Sequence, residues 1–116
     1  MEYLKKFNEN FSGLEKSEEE FKKNPSIYLA KSWARHYISN YSGEVTEKIN
    51  LLHKIKTHAI NSKLPELVDI CKSINDEYSK IKKYYILNRD DNYRINICQK
   101  ILKLGDELVE KLRNIQ

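Results

Sequence analysis

"PELVDICKSINDEYSKIKKYYIL", Pro65 to Leu87, is the stretch on which the fold turns. Leu67, Cys71, Ile74, Tyr78, Ile81 and Tyr85 recur in it at alternating steps of four and three residues, with Ile70 on the same side. That spacing returns to one face of an α-helix, whereas in a strand it would scatter side chains across both faces, so it specifies a helix with a single apolar seam. Pro65 suits the first turn because it brings a fixed φ and no N–H, and Glu66 and Asp69 complement the positive end of the helix. A seam of this length needs apolar neighbours, and the rest of the chain supplies them.

Downstream, "NRDDN" (Asn88 to Asn92) breaks the pattern. A last helix then carries Ile97, Cys98, Ile101, Leu104, Leu108, Leu112 and Ile115, with Gly105 beside the stripe where a neighbouring helix could approach closely. Upstream, the pattern stops at Asn61-Ser62-Lys63, and Val45, Ile49, Leu52, Ile55 and Ala59 define a helix beginning near Glu44. Before it, "KNPS" offers Asn24 as a cap and Pro25 as a first-turn residue, which predicts a helix to Tyr41 or Ser42, ended by Gly43. Leu4, Phe7, Phe11, Leu14 and Phe21 predict one continuous first helix over about residues 2 to 23. Ser12-Gly13 is the place where it would split, and Ser17-x-x-Glu20 would then form a capping box for the second piece.

Three Gly and two Pro in 116 residues, with charged residues at 33% and apolar ones at 40%, favour helices throughout. Short breaks between long amphipathic helices make sequence neighbours antiparallel. The expected architecture is therefore an all-α, up-and-down antiparallel bundle of four to five helices in a single domain over residues 1–116. No apolar run approaches the length of a membrane span, and "MEYLKKFNENF" lacks the apolar core of a secretory signal. Cys71 and Cys98 fall in apolar stripes, axially offset by roughly 13 Å on the last two helices, which predicts two reduced thiols and a cytoplasmic protein.

Most catalytic chemistries are disfavoured by spacing. Helical metal sites need ligands one turn apart, as in H-x-x-x-H or E-x-x-H, and neither occurs; His53 and His58 are five residues apart and His36 lies on another helix. The Arg followed four to six residues later by His that HEPN-type nucleases direct at one phosphate is missing, since Arg35 and His36 are adjacent. The glycines stand singly, at 13, 43 and 105, so no phosphate-cradling loop is present. Glu44/Glu47 and Glu107/Glu110 share helix faces but read as solvated surface. The expectation is a non-catalytic protein without cofactor, metal or small-molecule substrate.

Two binding surfaces remain. "KIKKYYILNRDDNYR" interleaves Lys80, Lys82, Lys83, Arg89 and Arg94 with Tyr84, Tyr85 and Tyr93. Cations for phosphates and rings for bases are what RNA or single-stranded DNA requires, which makes Lys80, Lys82, Lys83, Tyr84, Arg89, Tyr93 and Arg94 candidate nucleic-acid contacts. The same lysines also complement the negative end of their helix, and antiparallel helices place their basic ends at opposite ends of a bundle. A net charge of +4 and a pI near 9.0 permit an acidic partner without requiring one.

The other surface is "SWARHYISNYS", Ser32 to Ser42. At 100° per residue, Ala34, Tyr37, Ile38 and Tyr41 join Ile27 and Ala30 on a core face, Lys31, Arg35, His36 and Ser39 form a polar strip, and Trp33 lies on the flank with Leu29. Leu29, Trp33, Arg35 and His36 are thus candidate contacts for a protein partner or for self-association, with Leu51, Ile60, Ile86, Leu87 and Leu102 as further apolar residues flanking the stripes. This protein-binding reading is the leading one. In size, helicity and basicity the chain is similar to small helical subunits of multi-protein RNA-guided complexes and to small inhibitor, immunity or antitoxin-type bundles. No residue motif is shared with them.

Overall fold

The computed structural model describes residues 13–14, 18–40, 44–87 and 91–115, with side chains for all of these except 18, 20, 82–87 and 91. They form five helices: α1 (Glu18–Lys23), α2 (Pro25–Ser39), α3 (Val45–Asn61), α4 (Pro65–Leu87) and α5 (Asp91–Arg113). The architecture is the expected all-α bundle.

Each start has a local cause. Asn24 holds an extended backbone and its Oδ1 accepts the Ile27 N–H at 3.3 Å, while Pro25 opens α2 behind it. Between α3 and α4, Lys63 takes the left-handed conformation at φ 62° and the Leu64 N–H donates to Ser62 Oγ, so the chain reverses within three residues. α2 ends at Ser39, and the expected stop at Gly43 lies outside the described residues. The first helix is not continuous. Gly13 sits in a turn at φ 79°, a left-handed backbone that cannot belong to a right-handed helix, so no helix passes through it, and the first described helix is α1 at Glu18–Lys23. Ser17, the expected cap of that second piece, lies outside the described residues.

α2 pairs with α3 and α4 with α5, and the two hairpins pack on each other through α5 against α2 and α3 and through α3 against α4. Side-chain contacts give the directions. Trp33 meets Lys54 and Tyr37 meets Lys48, so α2 and α3 run antiparallel. Lys31 meets Ile115 and Tyr37 meets Asp106, so α2 and α5 do too. At the centre, Leu52, Ile55, Ile74, Ile101, Leu108 and Leu112 are almost wholly removed from water. A Cβ added at Gly105 would stand 2.9 Å from Leu52 Cδ2 and 3.1 Å from the Tyr37 hydroxyl. Glycine is what lets α5 cross α2 and α3 at this distance, as its place beside the stripe led one to expect.

Helix lengths are unequal, and this shapes the molecule. α4 and α5 have 23 residues each, about 34 Å, against 15 and 17 in α2 and α3, about 22 and 25 Å. Among the described side chains, the fully buried residues of α4 are Leu67, Ile70, Cys71 and Ile74, with Ile81 partly buried against the core, and those of α5 begin at Ile97. Within the seam read from Pro65 to Leu87, Tyr78 departs from the expected burial: it is 40% exposed, although Ile81 one turn further on still packs against the core. The heptad pattern records a helix's own face and not what its neighbours set against it.

Candidate protein-interaction site

The first predicted surface is largely occupied from within. Ile27, Ala30, Ala34 and Tyr37 are buried, and Ile38 packs against the core, as the helical wheel predicts. Trp33 is half-buried: Lys54 Nζ stands 4.1 Å from its ring centroid, the His36 ring centroid is 5.3 Å away, and its inner edge packs on the core. Leu29 and Arg35 are half-buried and only His36 is exposed. Of the other flanking apolar residues, Leu51 and Leu102 widen the core, whereas Ile60 is exposed; the side chains of Ile86 and Leu87 lie outside the described residues. Phe21, expected on the apolar face of the first helix, is 46% exposed and meets Tyr28 edge-on at 5.1 Å.

Lys31 departs from the polar strip to which the wheel assigns it. It is buried, and its Nζ donates to the Ile115 carbonyl at 2.8 Å. The carbonyls at the end of a helix lack internal partners, and α5 finishes directly over this part of α2, so a cation brought there by the next helix is both covered and used. Replacing Lys31 with Met keeps the apolar stem but leaves that carbonyl without its donor. The expected loss is about 1–3 kcal/mol, read as a lower urea midpoint at unchanged slope.

Tyr37 anchors the same junction. Its hydroxyl reaches Asp106 Oδ1 at 3.3 Å and the Leu102 carbonyl at 3.4 Å. Burial, and then the Asp106 carboxylate beside it, hold the phenol well above the ordinary tyrosine range.

The second predicted surface lies on the later part of α4 and the first turns of α5. Asn92, Tyr93, Arg94, Ile95 and Asn96 are five consecutive exposed residues. Because a helix turns once in about 3.6 residues, five in a row span its whole circumference. Tyr78 at 40%, Tyr93 at 36% and Ile95 at 49% are among the most exposed large apolar side chains described. Lys80 is exposed too, but its Nζ pairs with Glu77 Oε1 at 3.0 Å, and this carboxylate holds the ammonium above its ordinary range. Among the candidate nucleic-acid residues the structure thus brings Lys80, Tyr93 and Arg94 to one end of the molecule. The side chains of Lys82, Lys83 and Tyr84, and all of Arg89, lie outside the described residues.

Glu44, Glu47, Glu107 and Glu110 are exposed, in keeping with solvated helix surface. Cys71 and Cys98 are unbridged; burial pushes the Cys71 thiol up to about 11, so it stays protonated at neutral pH. Among the described residues no cluster of His, Cys, Asp or Glu could hold a metal ion, and no helix is long and apolar enough to cross a membrane. The chain matches no protein-family model, no curated protein and no solved structure.

Proposed function

We propose that this chain is a non-catalytic cytoplasmic interaction module that docks a protein partner, as an inhibitor, scaffold or small subunit, through the turn end of its α4–α5 hairpin. One observation supports this above the others: Tyr78, Tyr93 and Ile95 are large, exposed side chains on the two helices of this hairpin, in the later part of α4 and the first turns of α5. Rigid aromatic and aliphatic side chains of this kind dominate protein interfaces, because they bury much area at little conformational cost. The face around Trp33 is a weaker candidate, since Lys54 and the core already cover much of that ring.

The test is a triple replacement, Tyr78→Ser, Tyr93→Ser and Ile95→Ser, on the intact chain. All three are exposed, so helicity should change little, and the melting temperature should fall only by what the Tyr78–His53 ring contact contributes. Partner affinity, measured on whatever a native pull-down recovers with the parent chain, should fall by roughly tenfold or more, about 1.4 kcal/mol. If the partner is a second copy, the same replacement should abolish concentration-dependent mass in light scattering. Retention of both signals would remove the hairpin end from the interface.

Tyr93 beside Arg94, with Lys80 nearby on α4, also favours a second reading as a binder of RNA or single-stranded DNA within a ribonucleoprotein assembly. Anisotropy of a labelled oligonucleotide separates the two. A nucleic-acid site weakens steeply with salt and is lost on charge reversal at Lys80, Lys83 and Arg89, whereas a protein-docking surface binds no oligonucleotide at all.

A further inference from the structure

α3 and α4 meet through a set of polar side chains that the docking reading does not need, although Tyr78 belongs to both. Lys56 Nζ lies 3.0 Å from His53 Nδ1, one turn back on α3, and also donates to Asn75 Oδ1 on α4. The Tyr78 ring meets the His53 imidazole edge-on, with centroids 4.7 Å apart and planes at 86°. Cys71 Sγ reaches the Lys56 carbonyl at 3.8 Å, so three successive turns of α4 touch this short piece of α3.

The hydrogen-bond roles follow from the chemistry. An ammonium has three donors and no acceptor, so in its contact with Lys56 the His53 Nδ1 must accept, and the imidazole is neutral with its proton on Nε2. A protonated imidazole has N–H on both nitrogens. It cannot accept from Lys56, and it sets a second positive charge against the first. We infer that His53 is an acid-sensitive latch on the α3–α4 contact, in which uptake of a proton displaces Lys56 from Asn75 and loosens the packing of Tyr78.

Among the described residues no carboxylate is paired with His53 or Lys56 to offset the added charge. Lys54, the next residue on α3, stacks on Trp33 and is a further cation. On α4, Cys71, Asn75 and Tyr78 share the face toward α3, which turns Asp76 and Glu77 roughly 130° away to either side, and Glu77 is engaged by Lys80. From α2 and α5, no carboxylate among the described residues pairs with His53 or Lys56.

Burial, and then the Lys56 ammonium, hold the imidazole below its ordinary range. The unfolded chain therefore binds this proton at a higher pH than the folded one. Stability from the latch is complete above about pH 6.5 and is lost as the pH falls from there through the folded-state value. Burial also lowers Lys56, but its own window lies on the alkaline side and leaves the acid limb to His53.

An NMR pH titration of the full chain, with His36 and His58 assigned through Gln variants, tests this directly. The His53 ring should titrate below about 6.5, and the Asn75 side-chain amide should shift with the same midpoint. Lys56→Met should move the His53 midpoint upward. His53→Gln, whose amide oxygen accepts from Lys56 at every pH, should keep the fold and erase the Asn75 transition. A His53 midpoint at or above the ordinary value, one unmoved by Lys56→Met, or an Asn75 transition that survives His53→Gln would each overturn the latch. None of these readouts involves partner binding, so the latch and the docking surface stand or fall separately.

Discussion

Replacing Leu52 with Ala is expected to lower the unfolding free energy by about 2–5 kcal/mol, a large part of the total for a domain of this size. Leu52 is 1% exposed and lies on α3 against the flat spot that Gly105 leaves on α5. Three helices converge there, and Tyr37 and its hydroxyl bonds fix the third, so the walls are held and the space left by the lost methyls cannot close. The measurement is a urea transition followed by circular dichroism, with a lower midpoint at unchanged slope.

Gly105→Ala, made alone and with Leu52→Ala, identifies the cause. Alone, the new methyl gains about 1 kcal/mol of helix propensity but must displace a buried Leu52 methyl and the Tyr37 hydroxyl, a cost of about 1–3 kcal/mol. With Leu52 already shortened, the methyl moves into vacated space. The pair should be more stable than the sum of the single effects predicts, by at least about 0.5 kcal/mol. Additive behaviour would mean that the two side chains do not share this volume.

Gly13→Ala is expected to cost about 2–5 kcal/mol, although Gly13 lies in a turn outside every helix. Two separate penalties combine. At φ 79° an L-residue loses about 1–2 kcal/mol, and an added Cβ would stand 2.5 Å from the Arg113 carbonyl oxygen and 2.9 Å from its Cα. The obstruction is backbone at the end of α5 and not a movable side-chain tip, so the turn itself must back away, at about 1–3 kcal/mol more. Leu14, wholly buried, would be pulled from the core with it. Thermal melting is the check.

Much of the fold was legible because prolines and glycines mark its boundaries. Pro25 and Pro65 open α2 and α4 where the first-turn rule places them, and Gly105 lies at the closest helix approach. What escaped was everything set by a second helix. Lys31 reads as polar surface on its own wheel, because no wheel contains the end of α5 that covers it. Tyr78 reads as core, because a seam gives no warning that the residue facing it on α3 is the polar His53, beside which it stays 40% exposed. The His53, Lys56 and Asn75 cluster was invisible for the same reason, its members lying up to 22 positions apart on two helices. Phe21 reads as core on the stripe of its own helix, yet it lies exposed beside Tyr28.

The mismatch in helix length also separates the chain into two zones under different constraints. Where the four long helices overlap, most changes of side-chain volume are felt by at least two neighbours and cost stability. Along Asn92 to Asn96 every side chain is exposed, and substitution of Ile95 or Asn96 should alter stability by about 0.5 kcal/mol or less. That end of the hairpin can change its sequence without refolding the base that carries it. Recognition could therefore drift or be re-engineered at almost constant stability, with Leu52, Gly105 and Tyr37 left untouched.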